Sequence, residues 1–124
     1  MNTTGLVEIF MEKSFDSLVR SAGDLAGVFE YDDRVGYFYL YEVLGQATGK
    51  IIKAIRISSG EPDYAESDIA IRWDRQERSV GLFIRGELWA VFDAEMRQSY
   101  GGDYSPDKHA DVPLEISAGF EITN

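Results

Sequence analysis

The stretch from Asp68 to Asp93 constrains the fold of this chain more than any other part. Large apolar residues occupy every second position from Ile69 to Trp73, which is the period of a strand with one buried face. The same period returns after a polar loop, from Val80 to Ile84, and a third apolar run extends from Glu87 to Phe92. Arg85-Gly86 between the last two runs fits a two-residue hairpin turn, because glycine adopts the positive φ that such turns require. The stretch therefore predicts a three-stranded antiparallel meander.

The meander is predicted to lie at the centre of the fold. Phe83, Trp89 and Val91 make the second faces of its last two strands apolar as well, which is typical of strands covered on both sides. Trp73 continues the apolar face of the first strand, so we expect its side chain to be largely buried.

Further strands are predicted before the meander. Five segments carry the alternation or the β-branched residues that favour strands: residues 6–11, 14–20, 27–31, 35–41 and 51–57. The second of these also fits one helical turn, with Phe15, Leu18 and Val19 on one side. The third and fourth flank Asp32-Asp33-Arg34, which predicts a hairpin.

The chain beyond the meander is predicted to contain a long loop and one more strand. Residues 94–113 have few apolar positions, two adjacent glycines and two prolines, and long loops of this kind often carry function. Apolar residues then alternate with polar or small ones from Leu114 to Ile122, which predicts a final strand with one buried face.

These patterns predict an all-β fold with little helix. We expect one β domain over residues 1–124, a single-domain antiparallel sandwich or partly open barrel built from hairpins and the meander. A chain of 124 residues fits one domain and buries roughly two-thirds of the surface that it exposes when unfolded. Its 44% of hydrophobic residues is typical of a globular protein rather than of a disordered one.

A cytoplasmic location without membrane contact is predicted. No stretch approaches the roughly 20 continuous apolar residues of a membrane span. The first ten residues have neither the basic start nor the apolar run of a signal peptide. The chain contains no cysteine, which excludes disulfides, thiolate nucleophiles and zinc–thiolate sites.

The chain is strongly acidic, with 12 Lys and Arg against 22 Asp and Glu and a formal net charge of -10. Such a charge repels a phosphate backbone, so nucleic-acid binding is not expected. The simpler interpretation is a solvated surface whose charge favours solubility. The more specific one is an acidic surface that docks on a basic protein.

Two groups of residues are candidates for a binding surface. Tyr37, Tyr39 and Tyr41 share one face of their predicted strand, and each ring offers apolar area with a polar tip. The second group comprises the carboxylates of two segments that we expect to be exposed: Asp32, Asp33, Asp103, Asp107 and Asp111. The tyrosines can equally be half-buried cover of a sheet, with their hydroxyls in solvent.

The sequence carries little motif chemistry. With His109 as its one histidine, the chain cannot build a multi-histidine metal centre. It contains no nucleophile elbow, phosphate-binding loop, dinucleotide fingerprint or zinc-protease motif. Asp103, Asp107 and Asp111 offer oxygen ligands for a hard cation but lack the spacing of a calcium loop. We therefore expect no catalytic residue, no metal site and no cofactor.

Several strand and turn segments resemble those of a known family: Val28–Asp32, Gly36–Tyr39, Ile71–Trp73, Leu82–Gly86 and Ala90–Asp93. The family consists of small bacterial proteins with a domain of unknown function, and the resemblance covers about Val28 to Tyr100. It implies a bacterial cytoplasmic protein, and it brings no assigned activity.

Three functions remain open from the sequence. The leading hypothesis is a non-enzymatic bacterial protein-binding module, an immunity-like, antitoxin-like or regulatory partner that covers a basic protein. The alternative is a small-molecule-binding or enzymatic β domain that uses the Tyr37, Tyr39 and Tyr41 face with loop 94–113. The third is a homo-oligomer that forms through open sheet edges.

Overall fold

Two antiparallel four-stranded sheets, packed face to face, form the framework in the computed structural model, which describes residues 13–32, 34–43 and 49–121. The first sheet contains β1 (Lys13–Val19), β2 (Leu25–Asp32), β3 (Val35–Glu42) and β4 (Lys50–Ser59). The second contains β5 (Ile69–Trp73), β6 (Ser79–Ile84), β7 (Glu87–Asp93) and β8 (Gln98–Gly101). The strands of each sheet follow chain order and do not close into a barrel. The prediction of an all-β sandwich is confirmed.

The main core lies between the two sheets. Alternate residues of β2 and β3 point inward, among them Phe29 and Phe38, neither of which has any exposed surface. The second sheet contributes Leu82 and Phe92 to the same hydrophobic cluster. The Phe38 and Phe92 rings stack across the interface with centroids 5.2 Å apart. The two-residue period of the sequence therefore selects the residues that join the sheets.

The outer face of the second sheet is covered by the end of the chain. Phe83, Leu88 and Val91 form a second hydrophobic cluster with Phe120, whose ring meets that of Phe83 edge-on at 5.7 Å. All of β6, and β7 from its second residue onward, are buried. The prediction of cover on both faces is confirmed for β6 and β7. It is wrong for β5, an edge strand whose Ala70 and Arg72 are exposed, and Trp89 packs in the main core instead of on the second face.

The prediction of a final strand from Leu114 to Ile122 is wrong. Residues Leu114–Ser117 form a short α-helix and Ala118–Phe120 a 3-10 turn, while Ile122 lies outside the described residues. Helical spacing places residues four apart on one side, so Ile116 and Phe120 both reach the second hydrophobic cluster. Leu114, which alternation would bury, is 84% exposed.

Trp73 is only partly buried, so the prediction of large burial is also wrong. It ends β5, an edge strand, and lies at the margin where the second sheet meets β1. Its indole N–H donates a hydrogen bond to the carbonyl oxygen of Leu18 at 3.0 Å, and the Arg20 guanidinium lies 5.6 Å from the ring centroid. The tryptophan therefore joins the two sheets at their margin instead of filling the core.

Strands predicted near the N-terminus have separate outcomes. The segment at residues 14–20 is confirmed as β1, in place of the helical turn that it also fits. The segment at residues 6–11 lies outside the described residues. The predicted hairpin is confirmed as β2 and β3, with Asp32 paired with Val35 at its end. None of the described helices is long and apolar enough to cross a membrane.

The chain crosses from the second sheet to the first directly after β8. The backbone N–H of Gly102 donates to Trp89 on β7, and the N–H groups of Asp103 and Tyr104 donate to Arg56 and Ile57 on β4. The prediction of one long loop over residues 94–113 is therefore corrected, because this stretch contains β8 and the crossing between the sheets. Few of the β8 side chains are apolar, since the strand lies at an exposed edge.

Candidate binding face

The outer face of the first sheet carries the three tyrosines of β3. In the register of the sheet, Tyr39 pairs with Val28 on β2 and with Ala54 on β4, and Tyr37 pairs with Glu30. Directly paired residues point to the same side of an antiparallel sheet. These residues therefore share one surface, here called the tyrosine face: Tyr37, Tyr39, Tyr41, Val28, Glu30 and Ala54.

The rings of Tyr37 and Tyr39 form an ordered pair on this face. Their centroids lie 5.8 Å apart with an angle of 17° between the ring planes, and both side chains are partly exposed. Burial raises the pKa of Tyr39, and the nearby charge of Glu30 together with a hydrogen bond to it adds to the shift. The phenol of Tyr39 therefore stays protonated at neutral pH.

The two outer faces of the sandwich differ in their cover. Phe120 and the residues before it pack on the second sheet, whereas neither hydrophobic cluster includes Tyr37, Tyr39 or Tyr41. Ala54 is exposed beside Tyr39, and Ile51, which pairs with Tyr41, is 53% exposed. Within the described part of the chain, the tyrosine face is the apolar sheet surface that remains open to solvent.

The structure brings some of the predicted carboxylates to this face and leaves others elsewhere. Asp32 pairs with Val35, two residues from Tyr37, so it lies on the tyrosine face. Asp103 reaches the rim, because it forms an ion pair at 3.7 Å with Arg56, the β4 partner of Tyr37.

The remaining predicted carboxylates do not join the tyrosine face. Asp107 and Asp111 are exposed on the segment whose Ala110 N–H donates to Glu87 at the start of β7, in the second sheet. Asp33 lies outside the described residues.

A polar junction between three loops was missed by the sequence reasoning. The Tyr104 hydroxyl donates to Asp63 at 2.7 Å, and Arg85 forms ion pairs with Asp63 at 3.2 Å and with Asp68 at 3.4 Å. These side chains come from the β4–β5 loop, the β6–β7 turn and the segment after β8, which are distant in sequence. The sequence offered one local sign of an unusual contact there, an arginine at a turn position where asparagine, aspartate or glycine is usual. In the structure Arg85 adopts φ of 52°.

The chemistry of this junction is structural rather than nucleophilic. Burial raises the pKa of Tyr104 to about 12, and the hydrogen bond to Asp63 acts in the same direction. The Tyr104 hydrogen bond and the Arg85 ion pair hold the pKa of Asp63 below its ordinary value. At neutral pH the phenol is therefore protonated and the carboxylate ionised, which leaves neither a phenolate nucleophile nor a free base.

Two further kinds of candidate site are a metal-ligating cluster and a surface hollow. Within residues 13–32, 34–43 and 49–121, no three metal-ligating side chains converge. A shallow hollow of about 580 Å³ lies between the end of β1 and the β5–β6 loop. Its Glu77 carboxylate already accepts hydrogen bonds from the N–H and hydroxyl of Ser21, and its Trp73 is bonded to β1. These contacts join the two sheets.

The buried carboxylate of Asp93 predicts an acid-sensitive contribution to stability. Burial alone would raise the pKa of Asp93, but hydrogen bonds from the N–H groups of Met96 and Glu95 and from Arg78 hold it below its ordinary value. Stability from this group is therefore present above the unfolded-state pKa of about 3.9 and is lost as the pH falls through the folded-state pKa.

We expect Asp93→Asn to lower the free energy of unfolding at pH 7 by about 1–3 kcal/mol, because it weakens charge-assisted hydrogen bonds. The difference from the wild type should shrink as the pH is lowered from about 5 to about 2. Urea unfolding at several pH values measures both quantities. A difference that stays constant over this range would contradict the assignment.

Comparison with known families gives one further finding. A family model described as "Uncharacterized protein conserved in bacteria (DUF2251)" matches residues 10–115. No curated protein and no solved structure matches the chain. The matched region includes both sheets, the tyrosine face and the loop junction, and it ends within the short α-helix.

Proposed function

Because the chain belongs to this family of uncharacterized proteins conserved in bacteria, we propose that it is a bacterial protein-binding module and that a basic partner protein docks on its tyrosine face. We propose a cytoplasmic setting, which suits a chain without cysteine. Binding is the proposed activity itself, and no catalytic step is assigned to the module.

One observation carries the proposal: among the described residues, the tyrosine face stays partly exposed, while the C-terminal segment covers the opposite face of the sandwich. An exposed apolar surface on a sheet is typical of an interaction site. Tyrosine is enriched at protein interfaces, since its ring buries a large area and its hydroxyl finds a partner. The Tyr37–Tyr39 pair is also already ordered, so its docking costs little side-chain entropy.

Charge supports a basic partner. The chain has a net charge of -10, and on the face itself Glu30 and Asp32 lie on β2 while Arg56, which is paired with Asp103, lies on β4. Opposite charges across an interface accelerate encounter and select against wrong partners. We therefore expect association with the partner to slow as salt is raised, and dissociation to change less.

A pair of matched variants tests the docking surface. Ala54→Arg places a long cation beside Tyr39 at an exposed position of β4. Ala70→Arg makes the same change at an exposed position of β5, paired with Phe83 in the other sheet. Both strands are sheet edges and both alanines are exposed, so the two variants should have similar thermal midpoints.

The measurement is quantitative capture from an extract of the bacterial host. Wild type and Ala70→Arg should retain the same basic protein in near-stoichiometric amount, and Ala54→Arg should lose it. An acidic partner, or equal retention by the Ala54→Arg variant, would refute docking on the tyrosine face. Retention of further copies of the chain alone would favour the homo-oligomer.

A further inference from the structure

We infer that the tyrosine face recognises an arginine side chain of the partner, whose guanidinium packs against the Tyr37–Tyr39 ring pair and forms an ion pair with Glu30. This inference rests on the proposed function and specifies the chemistry that the same face selects. It distinguishes arginine from lysine, which the net charge of the chain does not.

Glu30 is the anionic part of the site. It lies directly opposite Tyr37 on the neighbouring strand and is partly exposed. The register also places it diagonal to Tyr39, which pairs with Val28 two residues earlier on β2. No lysine or arginine whose side chain the structure describes forms an ion pair with Glu30, whereas Glu42 and Asp103 are each paired with a cation on β4. The charge of Glu30 is therefore available to a partner.

The ring pair is the part that favours arginine. Two nearly parallel rings turn two outer π-faces to their surroundings, and a planar guanidinium packs on such a face while its edge donates to a carboxylate. The described residues include arginines packed on aromatic rings: Arg20 lies over Trp73 and pairs with Asp24, and Arg72 lies 5.0 Å from the centroid of Phe83. An ammonium group has no plane to stack, and it is more strongly hydrated.

Arg56, a described cation near the face, does not occupy this position. Arg56 pairs with Tyr37 from the β4 side, whereas Glu30 pairs with Tyr37 from the β2 side. Its guanidinium is engaged with Asp103 at 3.7 Å, and it is not stacked on either tyrosine ring. An arginine bound next to Glu30 would therefore lie on the β2 side of Tyr37, away from Arg56.

The probes are tri-arginine and tri-lysine peptides with blocked ends, titrated into the full chain and followed by NMR chemical shifts. We expect the largest shifts at Tyr37, Tyr39 and Glu30, and about two- to fivefold tighter binding of the arginine peptide, the range for an exposed cation–π contact. Glu30→Gln should weaken the arginine peptide several-fold. Asp107→Asn removes the same charge from an exposed position away from the face and should change the affinity by less than about twofold.

The remaining results either overturn the arginine site or separate it from the proposed function. Any one of four results would overturn the arginine site. These are equal affinity for the two peptides, chemical-shift changes centred on the loop junction, equal effects of Glu30→Gln and Asp107→Asn, or no binding of either peptide. If a basic partner is still lost only with Ala54→Arg, the proposed function stands without this inference. If the arginine preference is present but no basic partner is captured, the face selects arginine side chains but the proposed function fails.

Discussion

Replacing Phe38 by alanine is expected to lower the free energy of unfolding by about 3–5 kcal/mol, the usual cost of deleting a buried phenylalanine ring. Phe38 has no exposed surface and stacks on Phe92 across the interface between the sheets. The change therefore removes contacts that join the two halves of the fold and leaves a cavity between them. Urea unfolding monitored by tryptophan fluorescence measures the loss.

Tyr37→Ala is the matched control for this prediction. Tyr37 precedes Phe38 in the same strand but points to the open face and is partly exposed. Its removal should cost about 1 kcal/mol, the scale of one cross-strand or aromatic pair. Comparable losses for the two variants would mean that the inner and outer faces of β3 are assigned incorrectly.

Gly101→Ala is expected to have the second-largest effect, a loss of about 2–5 kcal/mol. Gly101 has φ of 84°, which costs an L-residue about 1–2 kcal/mol. A Cβ at this position would also overlap the backbone carbonyl oxygen of Trp89, and overpacking adds about 1–3 kcal/mol. The strain falls where the chain leaves β8 and crosses to β4, so the junction between the sheets should weaken.

Gly86→Ala separates the two causes. Gly86 has the same φ of 84°, but a Cβ there would meet no atom within 4 Å. It should therefore show only the conformational cost, about 1–2 kcal/mol. If Gly101→Ala is no more destabilising than Gly86→Ala in thermal unfolding, the close approach of Gly101 to β7 is refuted.

Local periodicity was sufficient to predict the strands of the sandwich. The β5–β6–β7 meander, including the Arg85-Gly86 turn, follows from alternation and turn chemistry that act within a few residues. The common face of Tyr37, Tyr39 and Tyr41 follows in the same way, because successive side chains of a strand point to opposite sides. These features depend little on the rest of the fold.

Features that depend on distant contacts could not be predicted. Ile116 and Phe120 fit the spacing of a strand and of a helix equally well. Packing of both side chains on the outer face of the second sheet favours the helix. Trp73 shows the same dependence, since its burial is set by its place at an edge next to β1. Loop contacts such as that of Tyr104 with Asp63 join segments 41 residues apart.

The exposure of the candidate site also depends on distant contacts and could not be predicted from local periodicity. Alternation identifies a tyrosine row, but it does not say which face of the sandwich stays open. That depends on where the C-terminal segment packs, and Phe120 packs on the second sheet. A final strand over Leu114–Ile122, as predicted from the sequence, would have left both outer faces without this cover. The openness of the tyrosine face is therefore a result of the three-dimensional structure.

Hydroxyl-radical footprinting of the tyrosine rings, with and without the captured partner, tests most directly whether the tyrosine face is the docking surface. Tyr100 is an internal reference, because it is also partly exposed but packs with the cluster on the second sheet. The account predicts that oxidation of Tyr37 and Tyr39 falls several-fold in the complex while oxidation of Tyr100 is unchanged. Unchanged oxidation of Tyr37 and Tyr39, with protection of Tyr100 instead, would contradict it.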